Sequence, residues 1–219
     1  MTTIGVLLAG CGVLDGSEIH EATLTLYFLN KAGAKVVCLA PEMPFAAVDH
    51  ATKTPMGQTR NVRVEAARIA RGPVADAARV SVADFDGLIL PGGLGAAKNL
   101  CDFAINGAKG RVEPSVAALV RAMHAAKKPI GAICIAPTVL ALALGDHHPE
   151  LTIGNDPGTA QGLTQAGARH VDCPVDGIVV DAANRLVSTP AYMLGPGIAD
   201  IALGIEKLVL AVLDMARAS

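Results

Sequence analysis

The chain has 219 residues, 52% of them apolar and only 3% aromatic, with a formal net charge of −2. This exceeds one average domain without reaching two, and no Pro/Ser-rich or charged linker divides it, so a single domain over residues 1–219 with a large aliphatic core is expected. Such a composition excludes general disorder, and the scattered basic residues exclude the charged footprint of a nucleic-acid or anionic-membrane binder, which leaves a small molecule as the expected partner.

The first residues, Met1 to Val6, place no basic stretch before their short apolar run, so no secretory signal is expected. Ile4–Ala9 reads as a strand, Ser17–Ala32 as a helix and Val36–Ala40 as a second strand, together a βαβ unit. Ser17 is expected to cap the helix, Glu18 and Glu21 suit its positive end, and Gly33 suits the left-handed position that closes it. Between Phe45 and Arg79 the pattern weakens. Only Val62–Ala70 keeps helical spacing there, edged by Arg60, Arg63, Arg68 and Arg71, and most of the segment is expected to be an excursion from the sheet. Those arginines read as a solvated face, with Arg60 and Asn61 placed where they could cover a site.

A strand over Asp86–Leu90 ends in Pro91-Gly92-Gly93-Leu94-Gly95, with a helix starting near Ala96. Pro114–Ala126 is expected to be a helix feeding a strand at Pro129–Ile133. Ala136–Leu144 then reads as a helix with Pro137 in its first turn, where a missing N–H costs nothing. The uncharged run Pro129–Gly145 spans seventeen residues, broken by Gly131 and Pro137, too short to cross a bilayer. Beyond it come a strand at Leu151–Ile153, a helix over Gly158–Gly167, and a hairpin of Gly177–Val180 and Leu186–Thr189 around Asp181–Asn184. Ile198, Ile201, Ile205, Leu208, Val209 and Val212 hold helical spacing towards the C-terminus. The class is therefore α/β: a three-layer α/β/α sandwich around a mostly parallel sheet.

Five cysteines, Cys11, Cys38, Cys101, Cys134 and Cys173, are odd in number and form no C-x-x-C pair, so neither a disulfide framework nor a zinc site is indicated. A cytoplasmic location fits them. Cys134 differs from the others in position, because Gly131-Ala132-Ile133-Cys134-Ile135-Ala136-Pro137 puts it where a buried strand turns directly into a helix. That is the shape of a nucleophile elbow, and the positive end of the helix is expected to lower the thiol pKa. Gly92-Gly93 ends a second strand, and the N–H groups of Gly93 and Ile135 could form an oxyanion hole beside the sulfur. The loop Gly10-Cys11-Gly12-Val13-Leu14-Asp15-Gly16 has its third glycine one place late for a dinucleotide fingerprint. Gly12 is expected to line the cleft instead, with Cys11 as a minor candidate for a neighbouring thiol. Lys98, Asn99 and the Tyr192 hydroxyl are candidates for contact with a ligand.

These residues carry a resemblance. The opening strand and helix with Glu21, the Leu90-Pro91-Gly92-Gly93 turn and the strand-borne Cys134 resemble the class I glutamine-amidotransferase-like superfamily, in its PfpI/deglycase branch. More narrowly, Asp15-Gly16-Ser17-Glu18-Ile19-His20-Glu21, Thr59-Arg60-Asn61-Val62, Gly95-Ala96-Ala97-Lys98-Asn99-Leu100, Cys134-Ile135-Ala136-Pro137 and Thr189-Pro190-Ala191-Tyr192-Met193 resemble the ElbB glyoxalase family, formerly called sigma cross-reacting protein.

The resemblance implies a flavodoxin-like fold and a homodimer. It also implies conversion of a small reactive aldehyde, glyoxal, to glycolate without glutathione, metal or other cofactor, an activity that reflects either a protein deglycase or another true substrate. It assigns Cys134 as nucleophile and Glu21 as its acidic partner. An ionised Glu21 would repel the thiolate, whereas a protonated one would donate to it, and the protonated form is expected. Many hydrolytic relatives carry histidine directly after the nucleophile, but Ile135 stands here, so a Cys-His-acid triad is not expected. Proton transfer then falls to Glu21, a water or another histidine, His20 being nearest in sequence. His50, His124, His147, His148 and His170 are expected at the surface. The competing class is a thiol redox sensor or chaperone-like protein in which Cys134 is oxidised without turnover.

Overall fold

The computed structural model describes residues 1–218. The first unit is β1 (Thr3–Leu7), α1 (Ile19–Lys31) and β2 (Lys35–Ala40), as the alternation of apolar runs and helical spacing predicts. There follow β3 (Pro44–Val48), β4 (Pro55–Asn61), α2 (Val62–Ala70), β5 (Ala75–Asp76), β6 (Gly87–Leu90), a π-helical turn at Ala96–Leu100, α3 (Phe103–Asn106) and α4 (Pro114–Ala125). The rest of the chain is β7 (Ile130–Ile133), α5 (Pro137–Leu144), β8 (Glu150–Leu151), α6 (Pro157–Gln165), β9 (Arg169–His170), β10 (Val179–Asp181), β11 (Leu186–Thr189) and α7 (Ile198–Arg217).

Seven strands form the main sheet in the order β10-β11-β7-β6-β1-β2-β5. All neighbours in it are parallel except β10 and β11, the expected hairpin. Strands β6, β7 and β11 are buried along their whole length, as central parallel strands covered on both faces must be. Helices α1 and α7 pack together on one face, with α7 against β6, β7 and β11, while α4 and α5 pack on β7. The apolar stripe of α7 explains its position: Ile201, Ile205, Leu208, Val209 and Val212 are all fully buried. The result is the three-layer, flavodoxin-like α/β arrangement.

Some expectations need correction. The segment after β2 is an excursion from the main sheet, but an ordered one, because β3 and β4 form a separate antiparallel pair. Strand β4 is polar and exposed over most of its length, so no hydrophobic period marks it. Strand β5 returns to extend the sheet edge beside β2. The strand expected at Leu151–Ile153 pairs only over Glu150–Leu151, with β9, in a small sheet of its own. Ser17 does not cap α1. Its hydroxyl accepts from the Ala9 N–H at 2.8 Å, and Glu18 is the capping residue, accepting from the Glu21 N–H at 2.7 Å. Gly33 closes the helix at φ +71° as predicted. Among the described residues no helix is long and apolar enough to cross a membrane.

This topology positions the site. From β1 the chain builds outward through β2 and β5 on one side and through β6, β7 and β11 on the other, so β1 and β6 flank the point where strand order reverses. In open α/β sheets such a reversal, at the carboxyl ends of parallel strands, is where ligands bind. Glu21 sits just after β1 on α1, Gly92 and Gly93 after β6, Cys134 after β7 and Tyr192 after β11.

Candidate active site

Cys134 adopts φ +61°, a left-handed conformation uncommon for a residue with a Cβ, and the sharp turn it makes is a nucleophile elbow. The turn is pinned on both sides: the Cys134 N–H donates to the Thr189 carbonyl at 2.9 Å, and the Ala136 N–H donates to the Ile133 carbonyl at 3.0 Å. Pro137 then opens α5, as its fixed φ favours. Only 7% of Cys134 is exposed.

The sulfur lies against Glu21, whose carboxyl group is fully buried in the first turn of α1. Two backbone donors fix that carboxyl group: the Gly92 N–H to Oε2 at 3.0 Å and the Tyr192 N–H to Oε1 at 3.2 Å. Burial, reinforced by the charge of Glu18, pushes Glu21 up from 4.5 to about 8, against the opposing pull of Tyr192 N–H, Cys134 and Gly92 N–H. Glu21 is therefore mostly protonated at neutral pH, as the sequence argument requires.

The expectation that the helix end acidifies the thiol is corrected. Burial first, and then the charge of Glu21, push the Cys134 thiol well above its ordinary value. The N–H groups of Gly93 and Ile135 do pull it down, so the predicted donor pair exists and converges on the sulfur, but it is outweighed. Two buried acids in contact cannot both ionise cheaply, and they titrate as a pair.

Both glycines of the β6 turn are dictated by this packing. A Cβ on Gly92 would lie 2.5 Å from the Cys134 Cβ and 2.6 Å from Glu21 Oε2, between the thiol and the carboxyl group. Gly93 sits at φ +93°, and a Cβ there would meet the Glu18 nitrogen at 2.4 Å. The Glu18 N–H in turn donates to the Gly92 carbonyl at 2.9 Å, which ties the start of α1 to the turn after β6.

His20 and Tyr192 meet at the rim. His20 Nδ1 lies 2.8 Å from the Tyr192 hydroxyl and 4.0 Å from Glu18 Oε1, and the His20 side chain is 53% exposed. Burial pushes the Tyr192 phenol up, with Glu18 and Glu21 adding to it. Tyr192 thus serves the site twice, through its N–H on Glu21 and its hydroxyl on His20. Sequence reasoning proposed only the hydroxyl.

Other candidates lie apart. Asn99 is buried, and its amide protons go to the carbonyls of Ala9 and Asp15, both at 2.9 Å, so it ties the loop after β1 to the π-helical turn rather than offering donors to a ligand. Lys98 Nζ donates to the Leu14 carbonyl in the same way. Gly12 packs against His50 and Asp15, inside the loop that β3 and β4 brace: His50 Nε2 accepts from the Leu14 N–H at 3.1 Å and Asp15 Oδ2 from the Val48 N–H at 2.8 Å. Cys11 opens into a cleft with Tyr27 and Arg68, and burial raises its thiol. Asn61 caps α2, and Arg60 faces Glu65 at 3.7 Å. His170 is not a surface residue; its side chain is 9% exposed. Glu18 was missed as a member of the site. It is buried, caps α1 and raises Glu21, and its only sequence signal is its place three residues before that glutamate.

The profile of the DJ-1/PfpI family matches residues 11–191. The human protein named glutamine amidotransferase-like class 1 domain-containing protein 3, mitochondrial, is 40% identical over 97% of this chain and 82% of its own length. The rat ES1 protein homolog, mitochondrial, is also 40% identical, over 97% of this chain and 83% of its length. Among solved structures, an isoprenoid biosynthesis protein with an amidotransferase-like domain from Ehrlichia chaffeensis superposes with a TM-score of 0.91 at 38% identity, covering 98% of this chain and 99% of that one. Drosophila melanogaster DJ-1beta superposes with a TM-score of 0.59 at 25% identity, covering 99% of this chain and 96% of its own.

Proposed function

The chain belongs to the DJ-1/PfpI family, and from that premise we propose that it is a cofactor-independent glyoxalase of ElbB type, converting glyoxal and related small 2-oxoaldehydes to 2-hydroxy acids. The observation that carries this reading is the buried Glu21 carboxyl group held against Cys134 on the elbow, beside two converging N–H groups.

In the proposed reaction the active form of the pair holds one proton, with Cys134 as thiolate and Glu21 as the acid that donates to it. The thiolate adds to one aldehyde carbon and its oxygen takes a proton from Glu21, giving a hemithioacetal. The Gly93 and Ile135 N–H groups hold that oxygen while charge develops on it. Glu21, now a carboxylate, removes the C–H proton of the former aldehyde carbon to form an enediolate, and that proton returns to the neighbouring carbon while the hemithioacetal hydroxyl proton passes to the neighbouring oxygen. The product is a hydroxyacyl thioester, an isomer of the hemithioacetal, so no external oxidant or reductant is needed. Water then cleaves the thioester, releasing glycolate and restoring the thiol. With Ile135 in place of a histidine after the nucleophile, the rim pair His20 and Tyr192 is the proposed route by which protons exchange with solvent.

Glyoxal consumption with glycolate detected by chromatography tests this reading. Cys134→Ala is expected to reduce turnover to background, and full turnover in Cys134→Ser overturns the scheme. The redox-sensor alternative is separated by titrating peroxide against intact mass: an adduct at low dose without glyoxal turnover would favour it. We further propose that the chain acts as a homodimer in the cytoplasm. Five free cysteines fit a reducing compartment, and Tyr27, 56% exposed on α1, offers an apolar contact.

A further inference from the structure

The opposite edge of the sheet carries a second feature, independent of Cys134. Lys127 and Arg185 precede β7 and β11 and so lie at their amino-terminal ends, one strand length from the elbow. There a cleft of about 680 Å³ is lined by Arg121, His124, Lys127, His147, Asn184 and Arg185, together with small apolar side chains, and no carboxylate is among its lining residues. In a chain of net charge −2, the fixed positive charges of Arg121 and Lys127 and two imidazoles share one concavity.

The cleft is organised by internal bonds. Arg121 Nε donates to the Ala143 carbonyl at 3.1 Å, and Arg185 Nη2 to the Met215 carbonyl at 2.7 Å. Among the described residues, neither Arg121 nor Lys127 faces a carboxylate within ion-pair distance. Asn184 sets the tautomer of the imidazole beside it. Its Nδ2 donates to Asp181 Oδ2 at 2.7 Å and to the His147 carbonyl at 3.3 Å, so its Oδ1 must be the atom 3.1 Å from His124 Nε2. Nε2 then carries the hydrogen and donates to Asn184 Oδ1. The His147 ring stacks on the His124 ring with centroids 4.4 Å apart.

We propose that this cleft binds a small anion carrying adjacent phosphoryl groups. Its volume suits a small molecule, and its fixed charge matches a diphosphate better than a single monoanion. The ligand is either inorganic diphosphate or the diphosphate of a nucleotide, and two titrants separate these sources.

Isothermal titration of the full chain with sodium pyrophosphate and with ADP, at ionic strength matched with sodium chloride, tests the proposal. A saturable one-site isotherm is expected, weakened at least tenfold in Arg121→Gln/Lys127→Gln and unchanged in Cys134→Ala. Lys127→Gln alone, which breaks no internal bond, is expected to weaken binding about threefold. Tighter binding of ADP than of pyrophosphate assigns a nucleoside diphosphate, and equal binding assigns the diphosphate group itself. Absence of saturable heat with both titrants overturns the proposal. So does undiminished binding in a double variant that melts like wild type.

Discussion

Glu21 gains its chemistry from losing its solvent. A glutamate ordinarily ionised at neutral pH is raised to about 8 here, by burial and by Glu18, and its proton connects the fold to the reaction. On the proposed scheme the reactive pair forms as one proton leaves, so kcat/KM for glyoxal is expected to rise with pH through about 8 and then level, a profile that steady-state rates between pH 6 and 9.5 would measure. A pH-independent rate over that range would contradict the shared proton. Stability runs the other way. A group whose folded pKa lies above its unfolded value contributes stability that is complete below the ordinary 4.5 and is lost as pH rises through about 8. The melting temperature of wild type relative to Glu21→Gln is therefore expected to fall between pH 5 and pH 8.5. The same variant is expected to lose turnover by about a hundredfold or more, the scale of a missing acid-base group. Cys134 was marked in the sequence by its place at an elbow, whereas Glu21 was paired with it only through the family resemblance. The cap was not legible, because serine is an ordinary capping residue and Ser17 stands next to Glu18. The thiol pKa was not legible either. A helix end can be read from sequence, whereas the burial and the neighbouring carboxyl group that outweigh it are tertiary.

At the scale of elements, the site is a junction of four strand ends, and its tolerances are those of backbone packing. Gly92→Ala inserts a methyl group where Cys134 and Glu21 meet, and overpacking of this kind costs about 1–3 kcal/mol. We expect it to abolish turnover while leaving a cooperative thermal transition, as calorimetry alongside the glyoxal assay would show. Asn99→Ala removes the two bonds that hold the loop after β1, and a lower melting temperature corresponding to about 1–3 kcal/mol is expected. The turns after β6 and β7 were readable because glycine pairs and a strand-to-helix cysteine leave strong local marks. The β3–β4 pair was only half visible: Phe45 and Ala47 alternate inward, but β4 exposes polar residues that follow no period. The two-residue strands β5, β8 and β9 are too short to carry any pattern and exist through their partners.

Over the whole molecule, the class was evident because apolar runs and helical spacing alternate, and a chain of that kind can bury its strands only between two helical layers. What alternation leaves open is the direction in which successive units are laid down. The reversal beside β1 is set by which strands pair, and it brings together Glu21 and Tyr192 from distant parts of the chain. The proposed homodimer is a prediction at this scale: sedimentation equilibrium is expected to give twice the chain mass, and Tyr27→Glu to shift it towards the monomer without loss of helix by circular dichroism. A wild-type monomer at micromolar concentration would remove that proposal.

The uneven burial of the five thiols makes them a gauge of the folded state. Cys11 and Cys38 are partly open, whereas Cys101, Cys134 and Cys173 are enclosed. A bulky aromatic disulfide reagent should therefore develop colour in two stages, first from the open pair and then, as denaturant is added, from the enclosed three. The second stage would count opened molecules directly, in the same cuvette that tracks inactivation.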